Sequence, residues 1–225
     1  MTDISAPSVQ PIRVLIADDD RLVRAGIVGI LSTADDIQVV AEAGDGVEAT
    51  EAAAAHRVDV VLLDIQMPRL DGIQALRDIK RRAPLLPVAM LTTFSDDLLI
   101  SDAVSAGALG FLLKSDDPQQ LIGGVRALAH GGGAFSPRVA HWLATRERTA
   151  MRSDQKNQRI RDLLTDRQLE LLALVGQGLS NAQIGSQMNL AEGTVKQYLS
   201  ALFAHLGVDN RVQAAVLAYR SGLLE

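Results

Sequence analysis

The chain has 225 residues, of which 48% are hydrophobic and 22% charged, and its formal net charge is −5; this size allows one or two domains with substantial hydrophobic cores. The absence of cysteine excludes disulfides and thiolate metal sites, and the histidines fall at no metal-ligand spacing. No apolar stretch approaches the roughly 18 residues that span a bilayer, and residues 1–10 lack an export signal, so we expect a cytoplasmic protein without membrane contact.

The first predicted elements are strands, each an apolar run that ends in a polar side chain. The runs lie at residues 12–17, 58–63, 87–91 and 108–113, and they end in Asp18-Asp19-Asp20, Asp64, Thr92 and Lys114. Runs this apolar are typical of strands buried on both faces of a parallel sheet. Because reactive groups in such sheets lie beyond the carboxyl ends of the strands, we expect the four tips to meet at one edge.

Each tip residue also has an ordinary structural interpretation. Asp20 suits the N-cap of the next helix, Thr92 is a residue type that favours strands, and Lys114 suits a solvated strand end. A lone Asp such as Asp64 before a loop is commonly a turn residue. Four such residues at one edge of a sheet nevertheless favour a functional site.

The residue types at these tips predict metal-assisted phosphoryl transfer. Asp18, Asp19 and Asp64 would bring three negative charges close together, and a hard cation between them would offset their repulsion. Carboxylate oxygens are ligands that suit Mg²⁺. Asp64 would then attack phosphorus as a nucleophile, while the metal, the Lys114 ammonium and the Thr92 hydroxyl neutralise the phosphoryl oxygens. The product would be an aspartyl phosphate.

Residues 10–130 resemble the receiver domain of bacterial response regulators. The motifs that carry the resemblance are Asp18-Asp19, Asp64 followed by Met67-Pro68 and Asp71-Gly72, Thr92, and Lys114 three residues after an aromatic. It implies an α/β fold with a doubly wound, five-stranded parallel sheet of the flavodoxin-like type.

The resemblance also implies roles for individual residues. Asp19 and Asp64 would contact Mg²⁺ directly, Asp18 would do so through water, and the backbone carbonyl of Gln66 would complete the protein ligands. Phe111 would be the aromatic switch residue, whose ring turns inward as Thr92 moves toward the phosphoryl group. The structural interpretation of Phe111 as a core ring is compatible with that role.

The following segment, residues 131–162, stands out by its charge. Residues 1–130 carry 19 acidic and 11 basic side chains, residues 131–162 carry 3 and 7, and residues 163–225 carry 5 and 4. Gly131-Gly132-Gly133 predicts a helix stop. We interpret residues 131–162 as a basic, partly helical linker whose charges face solvent; contacts with DNA phosphates or with the acidic first domain are the alternative.

Residues 163–225 predict a small all-α domain of four helices. Capping boxes at Thr165–Gln168 and Ser180–Gln183 open the first two, a longer helix runs from about Glu192 to Leu206, and Asp209 or Asn210 caps the last. Two helices joined by a short turn match the helix-turn-helix layout, although any small helical bundle contains such hairpins.

This region resembles the LuxR-type DNA-binding domain. The shared motifs are Leu164-Thr165-x-Arg167, Gly178-Leu179-Ser180-Asn181, Ile184, Gly193-Thr194-Val195-Lys196, Leu206-Gly207-Val208 and Gly222-Leu223-Leu224. A receiver followed by this domain is the architecture of the NarL/FixJ group of response regulators.

The 3.6-residue period divides the long helix into two faces. Val195, Leu199, Leu202 and Leu206 should pack inward, which leaves a small, polar row facing outward. We expect contacts with double-stranded promoter DNA from Asn181, Thr194, Lys196, Gln197 and Ser200.

The last helix carries two apolar rows, which predict a homodimer on activation. One row, Val212, Ala215, Val216 and Tyr219, would serve the core of the domain; the second row would then need a partner. The second row consists of Ala214, Leu217 and Ala218. The resemblance points to the same helix, and a net charge of −1 for residues 163–225 calls for a dimer to bind DNA tightly.

These observations predict a DNA-binding transcriptional regulator that a sensor histidine kinase activates by phosphorylating Asp64; RNA polymerase is a further candidate partner. The receiver would catalyse its own phosphorylation and dephosphorylation, but the chain would not otherwise be an enzyme. One alternative is a phosphatase with an aspartyl nucleophile, which usually needs a second Asp where Gln66 stands. The other is a receiver-like module that acts on DNA under the control of a ligand or protein, without phosphorylation.

Overall fold

The structure is a computed structural model that describes residues 10–93, 97–115, 117–135 and 163–224. The strands of these residues are β1 (Ile12–Ala17), β2 (Ile37–Ala43), β3 (Val60–Asp64), β4 (Val88–Thr92), β5 (Gly110–Leu113) and β6 (Ala134–Phe135). The helices of the first domain are α1 (Arg21–Leu31), α2 (Gly46–Ala55), α3 (Gly72–Arg82), α4 (Asp97–Ser105) and α5 (Pro118–Ala129). Those of the second are α6 (Asp166–Gly176), α7 (Asn181–Met188), α8 (Glu192–Leu206) and α9 (Arg211–Arg220).

The strands form one parallel sheet in the order β2-β1-β3-β4-β5-β6. The chain steps outward from β1 to β2 and then back past β1 to β3, which creates a topological switch point between β1 and β3. In open α/β sheets, binding sites form at the carboxyl ends of the strands beside such a point. Asp18 and Asp64 lie there, directly after β1 and at the end of β3.

The sheet has one more strand than the five predicted. The two-residue strand β6 pairs with β5 through Gly110–Ala134 and Phe111–Phe135. Gly131 ends α5 with a φ of 73°, a conformation that glycine adopts without penalty, and the chain then returns to the sheet. Residues 131–135, interpreted from the sequence as the start of the linker, therefore pack on the first domain, and the rest of that segment lies outside the described residues.

The core of the first domain lies in two layers, one on each face of the sheet, because successive side chains of a strand point to opposite faces. Helices α1 and α5 cover the face that contains Val14, Ile16, Val60, Leu62, Ala89 and Leu91. Helices α2, α3 and α4 cover the face that contains Leu15, Ala17, Val61, Leu63, Val88 and Met90. Every residue of β3 and β4 is buried, as the apolar runs predict.

Polar side chains set the starts of most helices. Asp20 accepts hydrogen bonds from the N–H groups of Leu22 and Val23, which confirms the predicted cap of α1. Both predicted capping boxes are present, at Thr165 and Ser180. Asn210, rather than Asp209, caps α9, whereas Ala191 gives α8 no side-chain cap.

The second domain consists of the four predicted helices. Residues 189–191 join helices α7 and α8, and Asn189 adopts the left-handed conformation that closes the turn. Gly207 ends α8 in the same conformation, with a φ of 65°. Among the described residues, no helix has both the length and the apolar character needed to cross a membrane.

Candidate functional site

The four polar strand tips meet at one edge of the sheet, as the sequence predicts. The Lys114 Nζ lies 2.8 Å from the Asp18 Oδ2 and 2.9 Å from the Asp64 Oδ2. The Lys114 backbone N–H also donates to the Thr92 carbonyl at 3.0 Å. One ammonium group therefore links the ends of β1 and β3, and its backbone links the ends of β4 and β5.

Burial and the neighbouring charges alter the acid–base properties of this set. Burial raises the pKa of Asp64 above its ordinary value and Asp18 adds to the effect, although Lys114 opposes it. Burial alone would lower the pKa of Lys114, but hydrogen bonds to Asp18 and Asp64 outweigh it, so this pKa lies above its ordinary value. Lys114 is therefore a cation at neutral pH.

The acidic residues fit a hard divalent cation. Asp18, Asp19 and Asp64 each offer a carboxylate oxygen, and these oxygens lie within 4.8 Å of one another. Among the described residues, the buried Oδ2 of Asp18 has no polar partner besides the Lys114 ammonium. A buried carboxylate oxygen with so few partners is typical of ion sites. Gln66 lies exposed in the loop after Asp64.

The predicted switch residues lie in the strands beside this set. Thr92, at the end of β4, is 1% exposed, and the ring of Phe111 on β5 is equally buried. The neighbouring strands pair Met90 with Phe111 and Thr92 with Leu113. The core interpretation of Phe111 is therefore confirmed, while its switching role stays a prediction.

The loop that carries Asp64 into α3 is held by contacts that the sequence did not reveal. The Gly72 N–H donates to the Ile65 carbonyl at 2.9 Å, and a Cβ on Gly72 would lie 1.9 Å from the Asp64 carbonyl oxygen, so a larger residue does not fit. Arg69 forms ion pairs with Asp45 and Glu48 in the loop and helix after β2. These contacts hold the loop that follows Asp64 against the neighbouring loop.

Helix α8 presents the outward face that its periodicity predicts. Val195, Leu199 and Leu202 are buried at 0%, 4% and 1% exposure. Lys196, Gln197 and Ser200 are exposed and Thr194 is partly buried. The division into two faces is confirmed, and the DNA contacts of the outward residues stay predictions.

Asn181, the remaining predicted DNA contact, is buried against the first domain. Asn181 is only 2% exposed, and its Nδ2 donates to the carbonyls of His130 and Gly131, both at 3.4 Å. Its Oδ1 accepts from the Arg211 Nη1 at 2.9 Å. A DNA contact by Asn181 therefore requires the domains to separate.

The structure corrects the argument for a second, unpartnered row on α9. Ala214 and Ala218 are both 0% exposed within the single chain, and Leu217 is partly buried. Helix α9 packs closely on α6: a Cβ on Gly176 would lie 2.9 Å from the Ala218 Cβ. Because small side chains on both helices allow this approach, both rows serve the fold, and this row does not by itself require a partner.

The sequence did not reveal that Asn210, a predicted helix cap, and Arg211 also join the two domains. The Asn210 Nδ2 donates to the carbonyl of Val104 at the end of α4, at 3.3 Å. Arg211 is 3% exposed and has no ion pair among the described residues, and burial lowers its pKa to about 10. The sequence did contain one indication that Arg211 has a special role. Arg211 is the first residue of α9, where a cation opposes the helix dipole.

Comparisons with known proteins match both regions. Residues 14–126 match the family described as response regulator receiver domain, and residues 162–218 match bacterial regulatory proteins of the luxR family. The nitrate/nitrite response regulator protein NarP of Escherichia coli is 37% identical over 211 residues, which cover 94% of this chain and 96% of NarP. The transcriptional regulatory protein LnrK of Bacillus subtilis is 34% identical over 217 residues, covering 94% and 98%.

Solved structures of other response regulators also match both domains. The response regulator ChrA of a heme-sensing two-component system is 38% identical, with a TM-score of 0.52, over 95% of this chain and 99% of that one. RcsB of Salmonella typhimurium has a TM-score of 0.57 over 92% of this chain and 97% of that one, and its 23% identity supports the fold alone. These matches span both domains, so the chain belongs to the response regulators with a LuxR-type DNA-binding domain and is a two-component transcriptional regulator, not an enzyme.

Proposed function

We propose that Asp64 accepts a phosphoryl group from a sensor histidine kinase, and that this modification controls dimerisation and promoter binding. The observation that carries the proposal is the position of the Lys114 ammonium, 2.8 Å from Asp18 and 2.9 Å from Asp64 at the switch point of the sheet. A structural ion pair needs one carboxylate. A phosphoryl-transfer site needs this surplus of acidic groups for a metal ion together with a cation for the incoming phosphate.

Asp19, Asp64 and the carbonyl of Gln66 would hold Mg²⁺ directly, and Asp18 would hold it through water. When bound, Mg²⁺ supplies positive charge that neutralises the phosphoryl oxygens. The rest of the chemistry belongs to the chain. A carboxylate oxygen of Asp64 forms a bond to phosphorus while the bond between phosphorus and the kinase's imidazole nitrogen breaks, and the imidazole leaves with the electron pair.

Lys114 and Thr92 then bind the transferred group. The Lys114 ammonium exchanges part of its contact with Asp64 for a phosphoryl oxygen, which requires little movement. The Thr92 hydroxyl donates to a second oxygen, and Phe111 adjusts beside it. Because α4 follows β4 in the chain, a shift of Thr92 changes the position of α4 and of the receiver surface around it.

The second domain would bind duplex promoter DNA through α7 and α8. Lys196 and Thr194 would contact phosphates or base edges at the start of α8, Gln197 and Ser200 would face the major groove, and Asn181 would contact the backbone once released. A net charge of −1 for residues 163–225 provides little phosphate neutralisation. A homodimer on activation would double the contacts with DNA. RNA polymerase is a further proposed partner at the promoter, and we propose that the protein acts in the cytoplasm.

The Asp64→Asn substitution tests the phosphoacceptor. The variant keeps the size of the side chain but loses the nucleophilic carboxylate, so acetyl phosphate with Mg²⁺ should no longer label it, as measured by intact mass. Asp71→Asn is the matched control, because asparagine also caps helices and Asp71 caps α3; it should be labelled like the wild type. Labelling of Asp64→Asn would refute the assignment. A wild type that resists labelling would favour control by a ligand or protein.

A further inference from the structure

We propose that Arg69 is a positioning residue for the magnesium site. Its ion pairs with Asp45 and Glu48 hold a strained turn in the loop between Asp64 and α3, and they thereby fix the backbone carbonyl of Gln66. This inference rests on the proposed function, because Gln66 is one of the proposed ligands of Mg²⁺. Arg69 is a cation and cannot itself be a ligand of the metal ion, so it acts through the loop.

Arg69 lies at the centre of a three-residue turn in this loop. The Leu70 N–H donates to the Pro68 carbonyl at 2.7 Å, and Arg69 has a φ of 62°. Three-residue turns with a positive central φ are rare and strained, and glycine adopts a positive φ without the cost that arginine has. Among the described residues, Asn189 is the only other non-glycine residue with a positive φ. A long cationic side chain at such a position indicates that the side chain itself has a role.

The Arg69 side chain provides the contacts that hold the turn. Its guanidinium pairs with Asp45, a residue that is 4% exposed, and its Nη2 lies 2.8 Å from the Glu48 Oε1. Asp45 is itself fixed, because its Oδ1 caps α2 by accepting from the N–H groups of Val47 and Glu48 at 2.8 and 3.0 Å. The Glu48 Oε2 accepts from the Gly44 N–H at 2.8 Å. Arg69 therefore binds carboxylates that the backbone around them already holds in place.

The backbones of the two loops also meet beside these ion pairs. The Gly46 N–H donates to the Leu70 carbonyl at 3.2 Å, and a Cβ on Gly46 would lie 2.3 Å from the same oxygen, so a larger residue does not fit. Leu70 directly follows Arg69, and the direction of its carbonyl depends on the turn. The strained turn therefore places the loop against the start of α2.

The segment that binds Arg69 also contacts the acidic residues after β1. The Asp18 N–H donates to the Ala43 carbonyl at 3.1 Å, at the end of β2. Residues 43–48 therefore contact both loops that carry proposed ligands, the loop of Asp18 after β1 and the loop of Gln66 after β3. A metal ion binds more tightly when other residues hold its ligands in place before it arrives. Arg69 sets the position of the second loop relative to the first.

Arg69→Gly tests the inference, because glycine relieves the strained φ while it removes the ion pairs. Isothermal titration calorimetry of the full, unphosphorylated chain with Mg²⁺ should give a dissociation constant about tenfold higher than that of the wild type, as for other residues that orient metal ligands. The midpoint of urea denaturation with a chelator should change little, since relief of strain opposes the loss of half-exposed ion pairs. Arg69→Lys keeps a cation and should have an intermediate dissociation constant.

The direction of the change separates positioning from the charge of Arg69 alone. Loss of a cation near the site would by itself strengthen the binding of Mg²⁺, whereas loss of positioning weakens it. Arg81→Gln is the matched control, because the exposed Arg81 pairs with Asp78 within α3; this variant should bind Mg²⁺ like the wild type. Asp45→Asn still caps α2 and should weaken binding. Combined with Arg69→Gly, it should lose less affinity than the two single losses together.

Three outcomes would overturn the inference. They are an Arg69→Gly variant that binds Mg²⁺ as tightly as the wild type or more tightly, the same variant with lower stability but an unchanged dissociation constant, and a wild type that binds no Mg²⁺. None of these measurements involves phosphoryl transfer. A wild type whose Mg²⁺ affinity depends on Arg69 but whose Asp64 is not labelled by acetyl phosphate would therefore refute the proposed function and leave this inference standing.

Discussion

Two regions of the molecule bury charged groups, but with opposite kinds of partner. The acidic edge of the receiver contains Asp18, Asp64 and Lys114, and the domain interface contains Asn181, Asn210 and Arg211. At the receiver edge, Asp18 and Asp64 share one lysine, and acidic groups outnumber cations. In the domain interface, Arg211 is buried among neutral oxygen acceptors, and no carboxylate pairs with it in the described residues. The first arrangement fits the metal ion and the phosphoryl group that we propose for it, whereas the second leaves a buried cation without a counter-charge.

The two regions therefore differ in the interactions that hold them together. The carboxylates and the ammonium of the acidic edge attract one another across three strand ends, and the proposed metal ion and phosphoryl group would add to these contacts. The domain interface has no such pair of opposite charges, and a hydrogen bond between neutral groups, such as that from Asn210 to Val104, contributes only about 1 kcal/mol.

The largest expected effect comes from Lys114→Met, which would leave the buried carboxylates without their cation. Breaking a buried ion pair by removing one partner costs about 3 kcal/mol of unfolding free energy, and urea denaturation with a chelator at pH 7 measures it. Without Lys114 the folded-state pKa of Asp64 rises further, so the folded state binds protons more tightly than the unfolded chain. The deficit should therefore shrink as the pH falls toward the ordinary pKa of aspartate.

Mg²⁺ gives the same variant a second test. Binding to the folded state stabilises it in proportion to the logarithm of the metal concentration. Mg²⁺ should therefore restore part of the stability of Lys114→Met. A deficit that does not respond to pH or to Mg²⁺ would mean that Lys114 acts only through packing, and the contrast between the two regions would lose its electrostatic basis.

Arg211→Met should have a smaller effect on stability, about 1 kcal/mol or less. Methionine removes the hydrogen bonds of Arg211 but also removes the burial of an unpaired cation, and these contributions oppose each other. The measurement is the same urea experiment at pH 7, and the difference from the wild type should not vary between pH 5 and pH 8, since burial leaves the pKa of Arg211 at about 10. A loss as large as that of Lys114→Met would show that the two buried cations are equivalent.

Ala191→Ser should have the smallest effect and the opposite sign. Helix α8 begins without a side-chain cap, whereas α6 and α7 begin with capping boxes. A serine at this position should stabilise the second domain by about 0.5 to 1 kcal/mol, measured by thermal unfolding. Thr165→Ala is the reciprocal control and should lower stability by about 1 kcal/mol. No gain from Ala191→Ser would show that the start of α8 is set by its packing.

The sequence predicted most of the receiver because its signals are local. Buried parallel strands read as continuous apolar runs, so β1, β3, β4 and β5 and the polar residues at their tips were identified. The edge strand β2 was not located, because Gln38 and Glu42 interrupt its apolar run and only part of it is buried. Strand β6 was not predicted either, because it has only two residues, too few to form a recognisable apolar run.

The second domain was predicted in its helices but not in its surroundings. Capping boxes and the period of α8 are properties of neighbouring residues, and they determined the helices and the buried row of Val195, Leu199 and Leu202. The burial of Ala214 and Ala218 depends on how closely α9 approaches α6, and the role of Asn181 depends on where the receiver lies. Neither is a property of a local pattern.

The sequence by itself therefore determined which chemical groups this regulator carries: the carboxylates, the lysine and the threonine at the acidic edge of the receiver, and the polar outward row of α8. Only the tertiary structure decided which groups are free to act. Val104 and Asn210 are far apart in the chain and meet at 3.3 Å, and Arg211 is buried because Gly133 allows the receiver to approach. Contacts between distant segments depend on shape and burial, which residue type and spacing do not encode locally.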